Sequence, residues 1–121
     1  MLSASAYKIV HLFGIFLIML SLGGALTHLI NGGGREHGWR KQIGISHGVG
    51  LLLVLLGGFG MIAKLNYAYT EGWIIVKIVI WLLFGGILTY ASRTPSAGRL
   101  LWWASALLGI LAAYMAIWKP F

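Results

Sequence analysis

Charged residues fall in short clusters, and between them run four nearly uncharged stretches, at 7–30, 43–65, 72–90 and 100–118. A helix needs roughly 20 largely apolar residues to cross the hydrocarbon core of a bilayer, and each stretch meets that length. The pattern predicts an all-α chain, an up-down-up-down bundle of four transmembrane helices over about 6–30, 43–65, 71–91 and 96–118. One domain, 1–121, with almost nothing outside the membrane, is the expected organisation.

Local signals set the ends. Ser3 and Ser5 are N-cap candidates for the first helix, and Asn31 with Gly32-Gly33-Gly34 closes it. No Gly-Lys-Ser/Thr follows the three glycines, so they do not make a phosphate loop. Thr70 can cap the third helix, with Glu71 at the positive end of its dipole. Pro95 marks the turn into the fourth. Small residues predict where helices approach closely: Gly44 and Gly48, with Gly57, Gly58 and Gly60 further along, and Ser105, Gly109 and Ala113 in the last helix.

Composition reinforces the membrane reading, since 60% of residues are hydrophobic and 9% charged, far from the soluble norm. The first apolar run is longer than a signal-peptide core, so it is expected to be retained. A net charge of +7 would suggest nucleic acid in a soluble protein; here the cations are spread over loops and helix ends, and lipid headgroups are the expected partner, not nucleic acid. Arg35, Arg40, Lys41, Arg93 and Arg99 lie in or beside the 1–2 and 3–4 connections, against Lys8, Lys64 and Lys119 on the other side. The positive-inside rule then puts both termini outside the cytoplasm of a bacterial inner membrane. With no cysteine, thiolate metal sites and iron–sulfur clusters are excluded. Lys8-Ile9-Val10 recurs as Lys77-Ile78-Val79, which fits a two-helix repeat and equally fits chance.

The candidate chemistry lies in polar residues inside apolar runs, where they are costly without a partner. His11 and Lys77 each sit about five residues into helices that start on the same side, hence at similar depth. A porphyrin set between helices 1 and 3 could meet both. Imidazole is the commonest protein ligand of haem iron, and a lysine that loses its proton on burial exposes an amine lone pair. The competing readings are a His11 satisfied by a neighbouring carbonyl and a Lys77 that reaches back to the interface. Ile15, Ile18, Leu22 and Ala25 share the His11 face, and Trp73, Trp81 and Phe84 the Lys77 face.

His28 and His47 form a second candidate pair in the other leaflet, with Arg35, Arg40 or Arg93 for haem propionates. Interfacial hydrogen bonding is the alternative for both, and His37 is expected to be solvated. Trp39, Trp73, Trp102, Trp103 and Trp118 read as interfacial anchors. Glu36 and Glu71, the only carboxylic side chains, are not at mid-membrane, which argues against a proton pump or cation carrier.

Tyr7-Lys8-Ile9-Val10-His11, Gly72-Trp73 followed by Lys77, and Lys119-Pro120-Phe121 together resemble the HemJ-type protoporphyrinogen oxidases. These are small four-helix membrane proteins, related in plan to the CopD-like and SirB-like families. The resemblance implies haem b, with His11 and Lys77 as the functional pair and iron ligands. It departs at helix 4, where Gly98-Arg99-Leu100-Leu101-Trp102-Trp103 stands in place of the family's Arg, Asn-Glu and Pro, with Arg99 as the one candidate counterpart. Haem binding is therefore expected to outlast porphyrinogen oxidation, and four methionines without cysteine make no copper site. Two functions follow as expectations: a small b-type haem protein for electron transfer or porphyrin oxidation, or a haem-free accessory subunit of a larger membrane complex. A homo-oligomer is the other assembly expected.

Overall fold

The first helix starts where the Ser3 hydroxyl accepts the Ala6 N–H at 3.1 Å, the cap expected there. In the computed structural model, which describes residues 3–121, four helices follow in order. These are α1 (Ala4–Ile30), α2 (Arg40–Leu65), α3 (Gly72–Arg93) and, after a 3-10 turn at Pro95–Ala97, α4 (Gly98–Trp118). All four are long and apolar enough to cross a membrane, so the chain is a multi-pass integral membrane protein of four candidate spans. The short connections make an up-down bundle in which α1 start, α2 end, α3 start and α4 end share one face of the membrane.

The turns differ from the expected capping. Thr70 does not cap α3. Glu71 is the N-cap and makes no side-chain cap bond. Its carboxylate instead accepts the Ala68 N–H at 3.1 Å and the Trp73 indole N–H at 3.3 Å. The Trp73 backbone N–H, one of the donors a helix start leaves free, goes to the Phe121 carbonyl at 3.0 Å. The chain end thus folds over the start of α3, with the Phe121 ring on Gly72 where a Cβ would stand. At the other end of this connection Asn66 closes α2 in the left-handed region, φ 60°, a conformation asparagine tolerates.

α1 is the central helix, with more of its length buried than any other span. Its inner residues Ile18, Leu22, Leu26 and Leu29 form one core with Ile80, Phe84 and Ile87 of α3 and Leu101 of α4. Against α2 it packs backbone to backbone. A Cβ on Gly14 would lie 2.7 Å from the Gly50 carbonyl oxygen, one on Gly50 2.8 Å from that of Gly14, and one on Gly57 2.6 Å from the His11 nitrogen and the Tyr7 oxygen. This seam uses glycines seven apart on α2, which return to the same side after two turns. Of the glycines expected to make the approach, Gly57, Gly58 and Gly60 meet Tyr7 and His11, whereas Gly44 and Gly48 face open space. In α4 the inward positions are Leu101, Ser105 and Met115; Ala113 is exposed, so the predicted narrow face turns off the core after Gly109.

Candidate functional site

His11 is buried on α1, with its Nδ1–H donated to the Val54 carbonyl of α2 at 2.8 Å. A carbonyl can only accept, which assigns the proton to Nδ1 in the neutral ring. Nε2 is left without a protein hydrogen-bond partner among the described residues. Gly58 gives the ring its place: a Cβ there would stand 3.5 Å from Cε1 and Nδ1 of His11. An imidazole whose one nitrogen is tied to a backbone carbonyl while the other is open is the usual arrangement of a metal-ligating histidine. It is equally the arrangement of an interhelical tether.

Lys77 is brought to the same level. Across the α2/α3 seam His47 faces Phe84 and Leu51 faces Trp81. Continuing that antiparallel register by one turn sets Lys77 opposite Val54 or Leu55, the carbonyl that holds His11. Lys119 donates to the Ala116 carbonyl at 2.7 Å and lies 5.2 Å from the Trp73 ring centre and 5.7 Å from that of Tyr67. Trp73 is itself buried, with Tyr67 edge-on at 5.2 Å; it belongs to the core rather than to the interfacial belt expected for it. The three sequence fragments therefore converge at one end of the bundle, with Tyr7 against Gly60, Phe121 on Gly72, and His11 and Lys77 level with each other.

His28 and His47 are not brought together. Gly50 packs between Gly14 and Ile18, which puts His47 near position 19 of α1, about 13 Å along the axis from His28 at about 1.5 Å per residue. Counting residues from the helix ends missed this because α2 begins at Arg40, three residues before its apolar run, and because α1 runs on to Ile30, past the level of Arg40 in that register. His47 is buried and its Nε2–H goes to the Phe84 carbonyl at 3.0 Å. His28 is only half-buried; its Nε2 donates to the Gly34 carbonyl at 2.9 Å, and its ring lies against that of His37, centres 4.2 Å apart and planes tilted by 41°. His37, expected to be solvated, is half-buried and accepts the Trp39 N–H on Nδ1 at 3.3 Å. Arg99 lies at the end of the bundle opposite His11, on a small cleft with Leu29, Ile30, Pro95 and Ser96.

One polar tether was not foreseen. Trp81 was read only as apolar lining, yet its indole N–H donates to the Leu51 carbonyl at 2.9 Å. The signal was an indole deep within a span, away from the interfacial belt. No grouping of three or more potential metal-ligating His or acidic side chains occurs among the described residues. Compared with protein-family models, curated proteins and solved structures, the chain matches none.

Proposed function

We propose that the protein is a small b-type haem protein of the bacterial cytoplasmic membrane, with the termini on the non-cytoplasmic side, acting in electron transfer or porphyrin oxidation. The observation that carries this reading is His11, buried in a span with Nδ1–H fixed by the Val54 carbonyl and Nε2 open, level with Lys77. The donor set fits haem: imidazole Nε2 is a standard axial ligand and an amine lone pair can serve as the second. Bound haem would supply one-electron chemistry at its iron.

The chain's own residues would do the rest. Val54 holds the His11 tautomer and ring plane, which also strengthens Nε2 as a donor. Lys77 would be the second residue to hold the group, and the buried Trp73 and Phe84 would supply apolar walls that keep water out. A second reading, a haem-free accessory subunit of a larger membrane complex, is favoured by a specific observation. Both buried histidines already have backbone-carbonyl partners, so neither needs a metal to be satisfied. The acidic helix 4 pattern of the porphyrinogen oxidases is also missing at Arg99-Leu100-Leu101, which favours electron transfer over oxidation within the haem reading.

The deciding experiment is a reduced-minus-oxidised absorption spectrum of the purified protein made with ample haem. A b-type band is expected, lost in His11→Ala, shifted in Lys77→Ala and kept in His28→Ala. Well-folded wild type without a Soret or alpha band would leave the accessory-subunit reading standing.

A further inference from the structure

At the end of the bundle opposite His11, α1, the 1–2 connection, α2 and α3 enclose a cleft of about 620 Å³. Its composition is graded. Ala25, Leu29, Ile43, Ile45 and Leu88 form walls that belong to the membrane-spanning parts of three helices, while Arg35, Arg40 and Lys41 stand at the mouth. The mouth holds one acid, Glu36, and Arg40 takes it at 3.2 Å. Arg35 and Lys41 are exposed and have no carboxylate partner among the described residues. Thr89 and Ser92 add hydroxyls on the α3 side. The His28 and His37 rings, in contact at a tilt, also line the cleft, with His28 bonded to Gly34.

We infer that this cleft is a binding site for the phosphate headgroup of an anionic phospholipid, with Arg35 and Lys41 on the phosphate and the first carbons of the acyl chains along Leu29, Ile43 and Leu88. Three observations select this occupant. The cleft lies at helix ends, the depth at which headgroups sit. Its cationic excess is complementary to a phosphodiester and is concentrated at the mouth. Its walls are apolar and continuous with the lipid-facing surface, which a free anion would not use. The site is independent of the haem reading, since none of its residues lies at the His11 level.

The test uses the full-length protein in phosphatidylcholine nanodiscs with and without phosphatidylglycerol, read by lipid retention in native mass spectrometry and by thermal stability. Wild type is expected to retain phosphatidylglycerol selectively and to melt higher in its presence. The double variant Arg35→Gln/Lys41→Gln changes exposed side chains only, and should lower the affinity about tenfold or more. The control Lys8→Gln/Lys64→Gln, at the other end of the bundle, should stay within about twofold. Equal losses in both variants would mean general surface attraction and would overturn the proposal. So would displacement of the lipid by inorganic phosphate at equal phosphate concentration, or retention of phosphatidylglycerol unchanged by Arg35→Gln/Lys41→Gln.

Discussion

Helix α2 is held by its two neighbours in opposite ways. Toward α1 it presents glycine, and Gly14, Gly50 and Gly57 let the two backbones touch. Toward α3 it stands off and is tied by side chains that cross the gap in both directions, His47 to the Phe84 carbonyl and Trp81 to the Leu51 carbonyl. The difference follows from what binds helices in lipid, where burying apolar surface contributes little because the lipid is equally apolar. A seam is then stabilised either by close dispersion contact, which needs the Cβ atoms removed, or by hydrogen bonds, which need long polar side chains. His11 combines the two, because its tether to Val54 lies within the glycine seam.

The largest expected effect comes from filling the glycine seam. Gly57→Leu forces atoms into the His11 and Tyr7 backbone, which cannot move as a flexible side chain would. It should cost about 3 kcal/mol or more, and Gly50→Leu should do the same. Gly48→Ala, facing open space, should change stability by less than about 1 kcal/mol. Reversible unfolding in mixed detergent micelles measures this. Equal tolerance of alanine and leucine at Gly57 would mean the helices are not in backbone contact.

The four spans were legible in the sequence because hydropathy and length alone define them, and the ends were legible where a local cap decides, as at Ser3. The seams were not. In lipid a helix is apolar on its outer face and its inner face alike, so no hydrophobic stripe points to the partner. Gly44-xxx-Gly48 has the spacing of a packing motif and faces nothing, whereas Gly50 matters because Gly14 lies opposite and Gly57 because the Tyr7 and His11 backbone does, a fact of pairing that neither helix carries alone. The level of His11 with Lys77 was readable, since both depths are counted from helix starts on one side. The separation of His28 from His47 was not, because it depends on how far α2 extends beyond its apolar run and on how far α1 runs past the start of α2. The cap on α3 was missed for a similar reason: it comes from Phe121, the far end of the chain.

The hydrogen-bonded seam should respond more weakly than the glycine seam. His47→Leu keeps most of the volume and removes the bond to Phe84; Trp81→Phe removes the bond to Leu51. The carbonyls lose only a second donor, since helical N–H groups still reach them, so each change should cost about 1 kcal/mol. Both bonds close the same gap. A double-mutant cycle should therefore give a combined loss that differs from the sum of the single losses. Strict additivity would show that α2 and α3 are held by something other than these two bridges.

The smallest effect separates polar groups that bind helices from polar groups that are merely buried. Ser105 sits on the inner face of α4, 4% exposed, with a hydroxyl that meets no partner among the described residues. An unpaired buried hydroxyl contributes nothing favourable and carries a desolvation cost. Ser105→Ala should therefore be neutral or stabilise the bundle by up to about 1 kcal/mol, opposite in sign to His47→Leu although both remove a buried polar side chain. If Ser105→Ala destabilises as much as His47→Leu does, the hydroxyl has a partner within the bundle, and α4 belongs with the tethered seam rather than outside it.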